Sequence, residues 1–192
     1  MSASPKQDDA YFYWKFDNDV DSDTCKKIIS IAENKWETAT TKKVVQNKRK
    51  TKVHWTTEQW LYDLVFEYMH AANKNAGWNF EIDGAESMQI GRYGKGCFYD
   101  THNDGDGTTL YNCPDNKWIH KKTRKLSMSI LLNDDYEGGG FKFAGDIDNP
   151  IGGNGTKGTV IVFPSYHSHS VEKVTKGIRY SLVVWFLGNK FH

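Results

Sequence analysis

His102 and Asp104 stand two residues apart at the end of the stretch IGRYGKGCFYDTHND, residues 90–104. On an extended segment, residues i and i+2 project to one side, so this imidazole and carboxylate can bind one cation together. That pair is half of a metal site. A second imidazole from far along the chain would complete it, and HSHSVEKVTKGIRYSLVVWF, residues 167–186, offers two. His167 and His169 are themselves two apart, so either can reach the metal from an extended segment. His169 is preferred, because a hairpin running from His169-Ser170-Val171 back to Arg179 would set that arginine beside the site.

Two imidazoles and one carboxylate on one side of a metal leave the far side open, which is the arrangement of non-haem Fe(II) oxygenases. His-x-Asp alone arises by chance in many chains, and the ordinary reading of His102 is a polar residue at a strand end. Its company carries the inference: His-x-Asp at a strand end, a His after a buried strand, then a basic residue on the next strand. The other histidines lack such company. His70 reads as a cation at the negative end of a helix dipole, His120 as an exposed loop residue, and His54 and His192 have no ligand partners at useful spacing. His167 is left to support the metal ligands or to line the entrance.

These residues need a rigid frame, and 192 residues suffice for one domain with a full core. Residues 1–10 read as a polar, disordered tail and residues 11–192 as a single domain. Lys and Arg total 25 against 24 acidic residues, so no global field draws the protein to nucleic acid or membranes. Cys25, Cys97 and Cys113 form no CxxC pair, no signal-peptide run opens the chain and no apolar run spans a bilayer. A soluble, cytoplasmic protein, monomeric or weakly dimeric, is the expectation. The cluster Lys42, Lys43, Lys48, Arg49, Lys50 and Lys52 reads as a solvated loop or edge strand in preference to a binding patch.

Along the chain, residues 11–16 read as a strand. Ser22 then N-caps a helix to about Trp36, with Cys25, Ile28, Ile29 and Ala32 on one face. Thr56 and Gln59 have the spacing of a capping box before a helix with Leu61, Leu64, Val65, Tyr68 and Ala72 on one stripe, closed at Asn75-Ala76-Gly77. Residues 78–82 and 87–93 read as strands. Leu126, Met128, Ile130 and Leu132 alternate with Ser127, Ser129 and Leu131, giving one face that packs and another that lines a cavity. Gly138-Gly139-Gly140 turns the chain into residues 141–143, residues 159–163 form a buried strand stopped by Pro164, and residues 179–187 form another. Residues 105–122 and 147–158 read as loops that flank the cleft. The fold class is mostly β with flanking helices (α+β), built on a jelly-roll-like double sheet.

At this point the sequence resembles a known family. Tyr93-x-x-Gly96-x-x-Tyr99-x-x-His102-x-Asp104, then Phe163-Pro164-Ser165, then His169-x-Val171 and Arg179-Tyr180-Ser181-Leu182-Val183-Val184-Trp185-Phe186 resemble the 2-oxoglutarate- and Fe(II)-dependent oxygenases of the prolyl 4-hydroxylase type. The resemblance implies a double-stranded β-helix (cupin-like) core with His102, Asp104 and His169 as iron ligands. It implies that Arg179 holds the distal carboxylate of 2-oxoglutarate, with Tyr93 and Ser181 donating hydrogen bonds. The chemistry agrees, since a planar guanidinium offers a bidentate fork to a carboxylate. An Arg leading into the apolar run SLVVWFLG also needs a buried anion.

The resemblance further implies Fe(II), 2-oxoglutarate, O2 and ascorbate as cofactors and co-substrates. Tyr99, Arg124 and Trp185 match substrate-lining positions, and the substrate implied is a prolyl residue of a peptide or protein. One position departs from the pattern: Leu131 stands where the family usually has a Tyr that binds 2-oxoglutarate, so the co-substrate contacts must differ. Two alternatives stand beside this expectation. One is oxidative demethylation of nucleic acid, supported only by the basic cluster; the other is a non-catalytic cupin-like metal-binding module, which has no need of a carboxylate clamp.

Overall fold

A computed structural model describes residues 6–7, 10–39, 48–145 and 156–191. The elements are β1 (Lys6–Gln7), β2 (Ala10–Tyr11), β3 (Trp14–Phe16), α1 (Ser22–Ile31), β4 (Glu37–Thr38), β5 (Arg49–Lys50), β6 (Lys52–Thr56) and α2 (Gln59–Asn75). They continue with β7 (Gly84–Ala85), β8 (Met88–Tyr93), β9 (Phe98–His102), β10 (Thr123–Leu131), β11 (Tyr136–Gly138) and β12 (Phe141–Phe143). The last four are β13 (Val160–Pro164), β14 (His169–Val171), β15 (Val174–Gly177) and β16 (Arg179–Gly188).

The strands build a large sheet in the order β3-β13-β10-β16-β8-β6-β4, with β7 beside β16, a small one in the order β12-β14-β9-β5, and two separate two-stranded pairs, β1-β2 and β11-β15. Every pairing among the described residues is antiparallel. Two-residue periodicity sorts the side chains. Met88, Ile90, Leu126, Met128, Ile130, Leu182, Val184 and Phe186 face the helices, where they pack with Cys25, Ile28, Leu61, Val65, Met69 and Ala72. The alternate residues of these strands face the small sheet, and there Tyr93, Ile161 and Phe163 meet Phe141, Phe143, Val171 and Val174. Two antiparallel sheets with helices on one outer face make the expected mostly β, jelly-roll architecture.

Several local expectations are corrected. Asp21, not Ser22, caps α1: its carboxylate accepts from the amides of Asp23 and Thr24, and the helix ends at Ile31, short of Trp36. The capping box does not form. Thr56 is still in β6, Glu58 occupies the N-cap without a side-chain bond, and Gln59 turns to Asp63. Residues 78–82 are not a strand, because Asn79 has φ 50° and the Asn73 amide bonds both backbone groups of Phe80. Residues 11–16 are interrupted between β2 and β3. Of the expected tail, residues 6–7 pair with 10–11 and the remainder lies outside the described residues, as do Lys42, Lys43, most of the 147–158 loop and His192. No described helix is long and apolar enough to cross a membrane.

Candidate metal and co-substrate site

His102 ends β9 and His169 begins β14, and the two strands pair so that these residues are register partners. Asp104 follows just beyond β9, its amide and that of Gly105 both donating to the Ser165 carbonyl. The three side chains converge. His102 Nε2 lies 3.7 Å from Asp104 Oδ1 and His169 Nε2 lies 3.6 Å from Asp104 Oδ2. The other nitrogen of each ring is engaged by backbone: His102 Nδ1 lies 2.7 Å from the Asp100 carbonyl and His169 Nδ1 3.0 Å from the His167 carbonyl. A carbonyl only accepts, so each Nδ1 carries a hydrogen, and Nε2 is the nitrogen that each ring turns toward the carboxylate.

Burial, then the neighbouring His169, pushes the His102 imidazolium down to about 4, which keeps the ring neutral at physiological pH. Burial pushes the Asp104 carboxyl up, but His169, His102, Arg124 and the Ser127 hydroxyl outweigh it and hold the group below its ordinary value. A neutral His102 imidazole beside an ionised carboxylate is the donor chemistry a divalent cation requires. This trio is the one such cluster among the described residues. His167 does not join it. The chain turns between Pro164 and His169, which stacks His167 on Phe12 at 3.8 Å between ring centroids. His120 accepts a bond from the Cys113 amide, His54 lies on β6 and His70 is exposed on α2, so none of them belongs to the cluster.

The trio lines one side of a cavity of about 510 Å³ that also receives Arg179, Ser181, Val183 and Trp185, successive inward positions of β16. Arg179 is 1% exposed. Its Nη1 donates to Ser181 Oγ at 3.1 Å, its Nε and Nη2 are buried without a partner, and no ion pair is formed with it among the described residues. A buried, unpaired guanidinium is costly unless an anion arrives. Tyr93, the register partner of Arg179, lies beside it with its ring centroid 5.4 Å from the guanidinium carbon. Two glycines make the room. A Cβ on Gly139, at φ +66°, would meet Arg179 Cδ at 3.0 Å, and one on Gly91 would meet the Tyr93 ring at 3.2 Å and Ser181 Oγ at 3.3 Å. A compact dicarboxylate with one end on the cation and the other on Arg179 therefore fits this donor set.

Residues 88–187, over half of the 192-residue chain, match the 2OG-Fe(II) oxygenase superfamily. The chain belongs to that superfamily. As a 2OG-Fe(II) oxygenase it takes Fe(II), 2-oxoglutarate and O2. It is 35% identical over 107 residues to the PKHD-type hydroxylase tll1907 of Thermosynechococcus vestitus, a match covering 51% of this chain and 41% of that protein. A PKHD-type hydroxylase of Synechococcus sp. (strain JA-3-3Ab) is 32% identical over 102 residues, covering 52% and 42%. The oxygenase chain thus spans about two fifths of the length of these curated relatives.

Among solved structures, the viral collagen prolyl hydroxylase of Paramecium Bursaria Chlorella virus-1, in its 2OG complex, superposes with TM-score 0.69 at 20% identity, covering 92% of this chain and 96% of that one. A Pseudomonas putida prolyl-4-hydroxylase gives 0.64 at 18%, covering 91% and 92%. A Trichoplax adhaerens prolyl hydroxylase in complex with a hypoxia-inducible-factor peptide fragment gives 0.65 at 16%, covering 91% and 83%. At these identities the likeness is one of fold.

The remaining oxygenase cavity holds Tyr99, Arg124 and Trp185, the three residues expected to face substrate. Tyr99 stacks on His102 at 3.5 Å between centroids, and Arg124 lies over the Trp185 ring at 4.0 Å. The Arg124 fork is already filled: Nε and Nη2 donate to the two Glu86 oxygens at 2.6 and 2.7 Å, and Nη1 donates to the Asp104 carbonyl. Leu131 is fully buried opposite Ser181 and does not reach the cavity.

Among the cavity residues not foreseen from sequence are Arg49, Trp55, Gln89 and Tyr111. Arg49 sits on the edge strand β5, as the basic cluster's solvated reading expects, yet its guanidinium donates to Gln89 and lies over the Tyr99 ring at 4.6 Å. The one signal was that Arg49 interrupts a run of lysines.

Proposed function

We propose that this chain hydroxylates a carbon of a prolyl residue in a peptide or protein, consuming 2-oxoglutarate and O2. In this reading His102 Nε2, Asp104 and His169 Nε2 hold iron, while Arg179, aided by Tyr93 and Ser181, binds the far carboxylate of 2-oxoglutarate. When bound, the iron supplies O2 activation coupled to conversion of 2-oxoglutarate to succinate and CO2, with a substrate C–H becoming C–OH. The chain's own residues position the reactants and exclude water. Val183, Phe141 and Phe163 line the cavity with apolar surface that keeps competing solvent away. Tyr99 and Trp185 line the cavity where a pyrrolidine ring would sit, and Arg124, held rigid by Glu86, braces the carbonyl of Asp104.

One observation carries the reading: a convergent His-Asp-His trio and a buried arginine with two unused donors line the same cavity. The substrate class is supported by the relatives, two of which are named hydroxylases and one of which was solved with a peptide. The test is succinate release by the Fe(II)-loaded protein with and without proline-rich peptides, using His102→Ala as control. Release that rises with peptide and is lost in the variant is the expected result. Release that single-stranded DNA stimulates and peptides do not would transfer the substrate to nucleic acid, and no release at all would leave a metal-binding module.

A further inference from the structure

Beside the iron cavity lies a second hollow of about 410 Å³, under the segment 105–122. The two share Asn103, Asp104, Tyr111 and Arg124 as a common wall. Three members of that wall have other duties or none in the loop: Asp104 belongs to the trio, Arg124 is locked by Glu86, and Asn103 ties the ligand segments together through the Tyr166 carbonyl and the Ser168 hydroxyl. Tyr111 alone is contributed by the segment 105–122. It is fixed at three points: its amide donates to the Lys122 carbonyl at 2.9 Å, its carbonyl accepts from the Lys121 amide at 2.9 Å, and its hydroxyl donates to Glu86 Oε1 at 2.7 Å.

The hollow behind it suits an uncharged group. Its cation, Arg124, is paired with Glu86 and bonded to the Asp104 carbonyl, and the Asp106 carboxylate is occupied by the Thr108 and Thr109 amides and the Thr109 hydroxyl. Leu110 contributes apolar surface at 39% exposure. We propose that Tyr111 is a specificity-determining residue whose ring separates the iron cavity from this hollow and so limits the bulk of the side chain next to the residue being oxidised. The inference rests on the reading above, that a polypeptide is threaded past the metal. Removing the ring would join the two spaces and admit a large apolar neighbour, whereas removing only the hydroxyl would leave the partition in place.

The experiment compares wild type, Tyr111→Ala and Tyr111→Phe as full chains, each loaded with Fe(II) and saturated with 2-oxoglutarate. Blocked peptides carry Ala or Trp immediately before or after a central proline. Wild type and Tyr111→Phe are expected to favour the Ala peptides by about tenfold in kcat/KM, the scale on which a pocket rejects excess bulk. Tyr111→Ala is expected to bring the ratio near one through a lower KM for a Trp peptide. An unchanged ratio in Tyr111→Ala would overturn the proposal. So would an equal shift in Tyr111→Phe, because the bond to Glu86 would then be responsible and not the ring. A second arm reads entry without turnover, as paramagnetic broadening of the peptide proton resonances by the Mn(II)-loaded proteins. If wild type oxidises no peptide, the prolyl reading fails, yet equal broadening of Trp peptides by wild type and Tyr111→Ala would still refute the partition.

Discussion

At the scale of single residues, the two neighbouring histidines 167 and 169 separate structure from chemistry. His169 presents Nε2 to Asp104, while His167 lies against Phe12 with Nδ1 unbonded. Replacing His169 with Ala should abolish Fe(II) binding, read by equilibrium dialysis, and replacing His167 with Ala should retain it at reduced thermal stability. The reverse order would reassign the ligand. Burial also holds both His102 and His167 neutral down to about 4, against an ordinary value of 6.5. The folded protein therefore binds fewer protons than the unfolded chain between those values, so stability is full above about pH 6.5 and declines toward pH 4. Denaturant midpoints of the metal-free protein should follow that slope, and His167→Gln should remove part of it; a flat profile would contradict the assignment. The trio was legible because its spacing is a backbone property: i and i+2 on a strand share a face whatever the remainder does. Glu86 and Tyr111 were not, because each takes its meaning from a partner at least 25 residues away.

Elements determine how well those residues stay aimed. The ladder between β9 and β14 sets His102 opposite His169, and a one-residue slip would turn one of them out of the cavity. On the large sheet β8 and β16 do the same for Tyr93 and Arg179, and Gly91 beside them keeps the space clear. Gly91→Ala should crowd the Tyr93 ring and Ser181 together, weakening 2-oxoglutarate binding several-fold, about 1 kcal/mol, a cost typical of mild overpacking. Fe(II) affinity should stay unchanged. Loss of both affinities together would mean that the sheet itself had shifted. Alternation exposed β10 in the sequence, and continuous apolar runs, the mark of strands buried on both faces, exposed β13 and β16. Helix ends were less legible: Asp21 and Ser22 are both competent caps, and only the backbone geometry decides which amides the side chain meets.

For the whole molecule, the division of labour is between an outer face that packs helices and an inner face that holds chemistry. A formal charge of +1 leaves no broad field to gather a polyanion, so recognition falls to the cavity and its rim. The layered architecture followed from the sequence pattern, whereas the strand order, which seats β5 and hence Arg49 beside β9, could not be read from any local window. The ladder that unites His102 with His169 has a topological meaning as well. A cation gripping both would clasp the chain into a ring that includes the whole stretch between them, with the segment 105–122, β10 and β13 inside. Closing so long a ring restricts the unfolded chain more than the folded one. The ion would then be a fastener as well as a reagent, and the enzyme stripped of it would be the looser molecule.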